Sequence, residues 1–548
     1  MSRGTVYTDG VQLVNPREFH RFKFALSQEQ CLAIDLYLKG HNLFVTGSAG
    51  TGKSVVIGEI QALEEKMKGQ LAVTSTMGLS SLEIGGVTIH SYSKMGIADK
   101  PMEELVQKAE RSMQLQDLWN KLTDHLIIDE ISLLSPDYFQ KLIAVISTCH
   151  EQKTHRRTKI DYKGTVIPHH LQFVFVGDFA QLPPVQKIPY DENDDDAGPQ
   201  NKMRFVFQLP EWRQIVQKNV VLHKTFRQKD QEFVDLLNRF RFATHTTADL
   251  ELLASRLNAT LDTKFSKLEP TTLFTRRNDV RQRNEQKLKA LPLPEESFSL
   301  VSGYTRLQLK DNKQDHKLWE SLPEYLQREL NNLRENLINA TKTDENVLVL
   351  RKGAQVMFRV NALVHQLANG SRGVVVDFVT CKLPSIFSKG ECRYPVVEFK
   401  NGRKFIIGPT FFMRYTHPKR WQPSSKIENN VIPYREGLDT SNLDLFAIPP
   451  CKTTNETYVY VARIPLTLAW ALTSHKCQGV TLDCAKISFS NIWEPGQGYV
   501  LISRLRELDG LTLETFDRNS IFADPDVVEF YRNLEAAQIQ TPYVPALR

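Results

Sequence analysis

The chain has 548 residues, more than a single hydrophobic core usually organises, so about three or four domains or subdomains are expected. Hydrophobic residues make up 41% of it, and no apolar run approaches the roughly 20 residues that cross a bilayer, which argues against a membrane protein. The polar start lacks the apolar core of a secretory leader. A formal net charge of +6 is compatible with a polyanionic partner, but over this length it does not by itself predict nucleic-acid binding.

Seven cysteines are scattered along the chain, without a C-x-x-C pair. Their odd number and spacing favour reduced thiols in an intracellular compartment over a disulfide framework or a zinc site. The sequence does not distinguish between a nucleus, a mitochondrion and a viral replication site.

The first regular element follows an N-terminal stretch, residues 1–23, that has no periodic pattern and is expected to form a loose arm. The segment FALSQEQCLAIDLYLKG predicts a helix that Ser27 caps and Gly40 ends. Gln30 on this helix lies just upstream of the next motif, where its amide could pair with an adenine edge. The alternative is a solvated surface glutamine.

The stretch GSAGTGKS satisfies the pattern G-x-x-x-x-G-K-[ST] between an apolar strand-like run and a helix-forming segment. Such a loop wraps an anion with backbone N–H groups, and the helix that follows adds a positive field. Lys53 would reach the β- and γ-phosphates of ATP, and the Ser54 hydroxyl would help to hold Mg²⁺. The predicted ATP-binding residues of this loop are Gly47, Ser48, Ala49, Gly50, Thr51, Gly52, Lys53 and Ser54.

The strand-like LAVTST leads into MGLSSLEIGGVTIHSYSKMGI, which predicts a loop-rich region rather than a core element. Its polar side chains include Thr76, His90 and Ser91, which could face phosphates. Ordinary turn chemistry is the alternative.

The segment LTDHLIIDEISLL predicts a buried strand that delivers two carboxylates, Asp129 and Glu130, at its carboxyl end. Because parallel strands end at one edge of a sheet, both should lie near Lys53. In P-loop enzymes an aspartate in this position holds Mg²⁺, and an adjacent glutamate can polarise the attacking water.

Two further strand ends carry candidate nucleotide contacts. LQFVFVGDFAQLPPV predicts a strand followed by Asp178 and Gln181, whose amide could sense the γ-phosphate. VVLHKTFRQ predicts a strand with Arg227 at its end, which is a candidate transition-state clamp or a plain surface arginine.

The second half of the chain begins with TTLFTRRNDVRQRNEQKLKAL, a strand and a basic helix that predict a second α/β domain. Short strands with Asn-Gly turns between Leu350 and about Arg463 predict a small antiparallel barrel. IPLTLAWALTSHKCQG then predicts a helix that ends in Ser474, His475, Lys476 and Gln478 before a Gly, and GYVLISR places Ser503 and Arg504 at a strand-to-turn boundary. No chemistry is apparent after about Asp524.

Nine short motifs in one collinear order, over about residues 24–518, resemble the petite integration frequency branch of the superfamily-one B DNA helicases, related to the RecD-like helicases. They are LSQEQ, GSAGTGKS, TSTMGLSSLEIGGVTIHSYSKMGI, LIIDEIS, VGDFAQLPPV, LHKTFRQ, LRKGAQVMF with NGSRG, LAWALTSHKCQGVTLD, and GYVLISR followed by GL.

The resemblance implies an α/β fold of two RecA-like P-loop NTPase domains, parallel sheets flanked by helices, with ATP between them. The implied organisation is an arm at 1–23, domain 1A at 24–250 with a wedge 1B near 93–118, the start of domain 2A at 251–349 with a helical insertion, a Src-homology-3-like barrel 2B at 350–463, and a return to domain 2A with a C-terminal tail at 464–548.

The resemblance also implies the roles of individual residues. Gln30 would contact adenine, Gln181 would sense the γ-phosphate, and Arg227 and Arg504 would be paired arginine fingers from opposite sides of the cleft. DNA contacts are implied for Thr76, His90 and Ser91 in the first domain and for His475 and Lys476 in the second.

The leading hypothesis is an ATP-dependent DNA helicase that uses ATP and Mg²⁺, translocates 5′ to 3′ on single-stranded DNA and opens forked or tailed duplexes in DNA replication, repair or recombination. We expect a monomer when free, with no membrane partner and with protein partners unknown. The alternative is a DNA-stimulated ATPase that binds or remodels nucleic acid with little unwinding. A P-loop NTPase acting on proteins is disfavoured, because the block around His475 and Arg504 would have no role in it.

Overall fold

The computed structural model describes residues 7–8, 11–12, 26–154, 171–184, 203–261, 268–299, 301–306, 324–341, 347–360, 369–381, 392–417, 420–436, 457–477 and 480–540, with the single residues 362, 365, 367 and 438. In the predicted arm, two short strands, β1 (Tyr7–Thr8) and β2 (Val11–Gln12), pair antiparallel. Within this described part of the chain, no helix combines the length and apolarity needed to cross a bilayer.

The first domain is built on a six-stranded parallel sheet whose strands are ordered β5-β4-β6-β7-β3-β8. These strands are β3 (Leu43–Gly47), β4 (Leu71–Ser75), β5 (Val87–Thr88), β6 (His125–Asp129), β7 (Gln172–Val176) and β8 (Lys218–Leu222). A separate apolar cluster covers each face of the sheet, so its central strands are buried on both sides and read as continuous apolar runs. The strand predictions for LAVTST, LIID and QFVFV are confirmed.

The α-helices that the structure describes between residues 26 and 254 precede, connect or follow these strands. They are α1 (Gln28–Leu38), α2 (Lys53–Met67), α3 (Gly78–Glu83), α4 (Ile89–Tyr92), α5 (Met102–Arg111), α6 (Met113–Lys121), α7 (Pro136–Thr154), α8 (Pro210–Ile215), α9 (Gln231–Arg241) and α10 (Thr247–Ala254). The predicted cap of α1 is confirmed, since the Ser27 side chain accepts a hydrogen bond from the Gln30 backbone N–H.

The second domain is built on a four-stranded parallel sheet ordered β20-β9-β21-β22. Its strands are β9 (Thr271–Phe274), β20 (Ala471–Thr473), β21 (Ala485–Ser488) and β22 (Leu511–Thr515). The apolar cluster of this domain also contains Phe233, Phe240 and Leu253, so α9 and α10 pack on the second sheet.

Antiparallel strands fill most of the region between β9 and β20. They are β10 (Glu295–Ser299), β11 (Val301–Arg306), β12 (Val347–Arg351), β13 (Gln355–Phe358), β14 (Arg372–Cys381), β15 (Cys392–Phe399), β16 (Lys404–His417), β17 (Arg420–Pro433), β18 (Thr457–Arg463) and β19 (Leu466–Leu468). Eight of them form one sheet, while β10 pairs with β12. Closure of this sheet into a barrel stays a prediction.

The remaining helices are α11 (Arg277–Lys289), α12 (Glu324–Thr341), α13 (Ser474–Cys477), α14 (Gln497–Ile502) and α15 (Pro525–Gln540). The last of them leaves the second domain. Its residues Val527, Tyr531 and Leu534 are buried in the apolar cluster of the first domain. The predicted C-terminal tail therefore contains a helix that belongs to the first core.

Three predicted elements were wrong in type. LTLAWALT forms strands β19 and β20 instead of a helix, and GYVLI forms helix α14 instead of a strand. The region predicted to be loop-rich, near residues 78–92, contains α3, β5 and α4. The first two errors share a cause, because a short apolar run that is buried all round has no periodicity to separate helix from strand.

Candidate functional site

The phosphate loop, residues 47–54, joins the buried strand β3 to helix α2. Gly50 and Gly52 adopt φ angles of +87° and +83°, in the left-handed region that glycine enters without steric cost. A Cβ at position 50 would lie 2.5 Å from the Cβ of Arg227. Glycine at position 50 thus permits both the left-handed backbone angle and the close approach of Arg227.

Lys53 begins α2 and bends back over the loop. Its ammonium group donates to the backbone oxygens of Gly47, at 2.7 Å, and Ser48, at 3.2 Å. Burial lowers the pKa of Lys53, although the nearby carboxylates of Asp178 and Glu130 oppose the shift. Ser54, the other predicted phosphate and Mg²⁺ residue, is exposed in the first turn of α2. The ammonium and the amino end of α2 create a positive field at this loop.

Gln30 is buried against the phosphate loop rather than solvated. Its Oε1 accepts the backbone N–H of Ser27 at 2.9 Å. Its Nε2 lies 3.4 and 3.3 Å from the backbone oxygens of Thr51 and Gly52. The amide therefore joins α1 to the phosphate loop, and its predicted contact with adenine stays a prediction.

Strand β6 delivers Asp129 and Glu130 to the same sheet edge as the phosphate loop. Burial, reinforced by the charge of Glu130, raises the pKa of Asp129 to about 8. Glu130 has a φ of +53°, a left-handed conformation that an L-residue with a side chain rarely adopts. Thr76 braces this turn, since its N–H donates to Asp129 O at 3.1 Å and its hydroxyl donates to Glu130 O at 2.9 Å.

A buried carboxylate follows strand β7 in the predicted γ-phosphate segment. Asp178 accepts hydrogen bonds from Gln181 Nε2 at 3.1 Å and from Arg241 Nη2 at 2.7 Å. Burial opposes the ionisation of Asp178, but Arg241 and Lys53 outweigh it and lower the pKa of this carboxyl. Gln181 thus lies in a charged network to which Arg241 of α9 contributes.

The two predicted arginine fingers lie near one another on different segments. Arg227, between β8 and α9, donates from Nη1 to Ser503 O at 3.0 Å. Arg504 is buried and donates within its own domain, to Val500 O at 2.8 Å and to the Ser503 hydroxyl at 2.7 Å. Burial and the charge of Arg504 lower the pKa of Arg227 to about 9. Two guanidinium groups beside a phosphate loop form a strongly anion-attracting site.

The second domain also reaches the phosphate loop through Tyr499, for which the sequence predicted no role. The buried hydroxyl of Tyr499 on α14 accepts the N–H of Ala49 at 3.1 Å. Gln228 adds a further contact, since its Nε2 donates to Leu505 O at 2.8 Å. Position in the motifs could have indicated both: Gln228 follows Arg227, and Tyr499 lies about one helical turn before Ser503.

The predicted DNA contacts of the first domain lie on or beside short elements at the same sheet edge. His90 and Ser91 are on α4, and the His90 ring packs on Tyr138 with centroids 4.6 Å apart. Burial lowers the pKa of His90. His475 and Lys476 are on α13, directly after β20, and their side chains lie outside the described residues.

Comparison with known proteins places this arrangement in a family. The profile described as PIF1-like helicase matches residues 25–248. ATP-dependent DNA helicase PIF1 of Danio rerio is 32% identical over 515 residues, covering 94% of this chain and 65% of the relative. ATP-dependent DNA helicase RRM3 of Saccharomyces cerevisiae is 30% identical over 542 residues, covering 93% of this chain and 68% of the relative. The chain thus spans about two thirds of the length of these relatives.

The fold has solved counterparts. The Pif1 helicase from Candida albicans, 27% identical, superposes with a TM-score of 0.60 over 93% of this chain and 100% of that one. Pif1 from Bacteroides sp, in complex with ADP-AlF4, is 25% identical with a TM-score of 0.65 over 94% and 98%. The prediction of two RecA-like domains is confirmed. Motifs, site geometry and overall similarity agree, and the chain belongs to the PIF1-like helicase family.

Proposed function

We propose that this protein is an ATP-dependent DNA helicase that hydrolyses ATP in the cleft between its two RecA-like domains and translocates 5′ to 3′ on single-stranded DNA. The observation that carries the proposal is the meeting of both domains at one loop. Tyr499 of the second domain bonds Ala49 in the phosphate loop, and Arg227 packs on Gly50 while bonding Ser503 O. Because the catalytic groups come from both sides, turnover is coupled to the relative position of the domains.

The chemistry required of these residues is positioning and charge neutralisation rather than covalent bonding. Lys53 and the amino end of α2 bind the phosphates, and Glu130 orients the attacking water. Gln181 contacts the γ-phosphate, while Arg227 and Arg504 neutralise the charge that develops on the transferred phosphoryl group. Arg504 donates to Val500 O and the Ser503 hydroxyl, and its other N–H groups are the donors it would offer to a phosphate oxygen.

The donor set of the site fits Mg²⁺, with Ser54 and Asp129 as the residues that would hold it. Hard divalent cations prefer oxygen ligands, and both side chains offer oxygen. Burial and the charge of Glu130 disfavour the ionised form of Asp129. The positive charge of a neighbouring divalent cation would oppose both effects and favour the charged carboxylate. A bound Mg²⁺ would supply positive charge that offsets the negative charge of the phosphates.

The proposed DNA track joins the nucleotide site through Thr76. This residue is one of the predicted DNA contacts, and its two hydrogen bonds fix the backbone of Asp129 and Glu130. A DNA phosphate that binds Thr76 and shifts it would therefore also shift the turn that carries the carboxylates Asp129 and Glu130. We assign His90, Ser91, His475 and Lys476 to the same track, with backbone contacts that do not depend on base sequence.

The names of the relatives support DNA as the substrate, and the solved complex of Bacteroides Pif1 with ADP-AlF4 supports an adenine nucleotide. Single-stranded DNA and forked or tailed duplexes are the proposed partners. We propose that the free protein is a monomer.

The test measures ATP hydrolysis with and without single-stranded DNA, then unwinding of duplexes with a 5′ or a 3′ tail. We expect stimulation by the strand and opening of the 5′-tailed duplex only, with Lys53→Ala inactive in both assays. An ATP hydrolysis rate that does not change when DNA is added would contradict translocation. Unwinding only from a 3′ tail would contradict the 5′-to-3′ polarity. Stimulated hydrolysis without unwinding of either duplex would favour a remodelling factor.

A further inference from the structure

The C-terminal helix α15 returns to the first domain after the chain has completed the second sheet. The Phe530 ring stacks on Phe207 of the first domain, with centroids 4.2 Å apart. Gln208 donates to the Asp526 carboxylate at 2.7 Å. Tyr531 is 1% exposed, in the same apolar cluster as Phe44 of β3. This docking brings a residue from the end of the chain beneath the nucleotide site.

The Tyr531 hydroxyl connects the ends of strands β3 and β7. It lies 2.6 Å from the Thr46 hydroxyl and 3.0 Å from Asp178 Oδ1, and it accepts the Phe179 N–H at 3.1 Å. A phenol carries one proton, and an ionised carboxylate only accepts. Tyr531 therefore donates to Asp178, and Thr46 donates to Tyr531. Thr46 directly precedes the phosphate loop, so the hydroxyl joins that loop to the γ-phosphate segment.

Asp178 passes this constraint on to Gln181. Tyr531 and Arg241 both bond Oδ1, whereas the other oxygen, Oδ2, accepts Gln181 Nε2 at 3.1 Å. An amide nitrogen has two hydrogens in one plane, so fixing the first on Asp178 also fixes the direction of the second. The rotation of Asp178 about its side chain then decides where the Gln181 amide points.

The loop that carries Gln181 is held from the other side by the second domain. Leu182 is buried in the apolar cluster of that domain. A Cβ added at Gly496, the residue before α14, would lie 2.5 Å from the backbone oxygens of both Ala180 and Gln181. The segment 178–182 is thus clamped between α15 below it and α14 beside it, with Gln181 between the two contacts.

We propose that Tyr531 is a positioning residue for Gln181, so that recognition of the γ-phosphate depends on the docking of the C-terminal helix. This inference rests on the proposed ATPase function of the cleft. Tyr531 acts by holding Asp178 in one orientation, in the way that supporting hydrogen bonds generally hold a functional side chain in its productive geometry.

The test compares Tyr531→Phe with Tyr37→Phe. Both tyrosines are buried in the first domain and donate to a buried carboxylate, since Tyr37 bonds Glu64 Oε1 at 2.7 Å on the other face of the sheet. The primary measurement is the ratio of binding affinities for a non-hydrolysable ATP analogue and for ADP. We expect Tyr531→Phe to reduce this ratio about tenfold, and Tyr37→Phe to leave it unchanged at a similar loss in Tm.

A double-mutant cycle with Gln181→Ala separates positioning from loss of packing. If Tyr531 acts through Gln181, then Tyr531→Phe should have little further effect on the affinity ratio in the Gln181→Ala background. Equal ratios for the wild type and Tyr531→Phe, or additive effects in the cycle, would overturn the inference.

These measurements also separate the inference from the proposed function. The wild type could prefer the triphosphate over ADP and yet show no DNA-stimulated hydrolysis. That result would contradict the proposed helicase function and leave the comparison of Tyr531→Phe with Tyr37→Phe valid. DNA-stimulated hydrolysis with an affinity ratio unaffected by Tyr531→Phe would support the helicase and reject the inference. A wild type without triphosphate preference would reject it as well.

Discussion

The two sides of the nucleotide cleft differ in how their functional side chains are held. On the loop side, Lys53 bonds the loop itself, and Thr76, the residue after the neighbouring strand β4, fixes the turn at Asp129 and Glu130. On the arginine side, Arg504 bonds Val500 of the preceding helix α14, and the second domain meets the first through Tyr499, which bonds the loop, and through Ser503, which bonds Arg227. The loop side is therefore preformed within one domain, whereas under the proposed function the arginine side would act only when the second domain is placed against the first. ATP binding should therefore depend mainly on the loop side, and ATP turnover on the arginine side.

The strongest test of this difference is Arg504→Ala. An arginine finger contributes about 10³–10⁵-fold to the rate of phosphoryl transfer, so kcat for ATP should fall by at least about 10³-fold. ATP binding should be retained, because the loop side is complete without this residue. Steady-state kinetics and equilibrium nucleotide binding check both parts of the prediction.

Arg283→Ala is the matched control for Arg504→Ala. Arg283 lies in the second domain and pairs with Glu514 at 2.8 Å, within that domain. The Arg283→Ala variant should hydrolyse ATP with a near-normal kcat. A loss of ATP binding with unchanged kcat in Arg504→Ala would reverse the assignment of the two sides.

An intermediate effect is expected for Gly50→Ala, compared with Gly40→Ala. Both glycines have a positive φ, +87° and +79°, so each substitution should lower the free energy of unfolding by about 1–2 kcal/mol. Only Gly50→Ala also places a Cβ 2.5 Å from Arg227, whereas nothing lies within 4 Å at position 40. Displacement of Arg227 by about an ångström should reduce ATP turnover about 10²-fold.

Denaturant unfolding and ATPase assays on the same two variants separate strain from misplacement. Equal turnover in Gly50→Ala and Gly40→Ala would show that the contact between the phosphate loop and Arg227 does not matter for catalysis.

The smallest effect is expected for Tyr499→Phe, which removes one hydrogen bond across the cleft. A neutral hydrogen bond contributes about 0.5–1.5 kcal/mol, so DNA-stimulated kcat should fall roughly 2–10-fold while ATP affinity stays nearly constant. Tyr92→Phe is the control, since its hydroxyl pairs with Thr123 at 2.7 Å inside the first domain. An equal change in kcat for both variants would mean that Tyr499 does not couple the domains.

Much of the loop side could be predicted from the sequence, because its signals are local. The loop glycines, the buried strand before Asp129 and the cap at Ser27 each depend on neighbours within a few residues, and the strand, loop and helix types were correct. Parallel pairing then brings the strand ends to one edge.

The sequence by itself determined the phosphate loop, the strands that carry the carboxylates, and the order of motifs that indicates the family. Tertiary structure decided the rest. The buried run around Tyr499 and Ile502 forms a helix that the sequence did not predict, because burial on all sides erases the periodicity that separates helix from strand. Tyr531 meets Asp178 across 353 positions of sequence, and no local pattern encodes a hydrogen bond of that separation. Such contacts exist only once the second domain has returned the chain to the first.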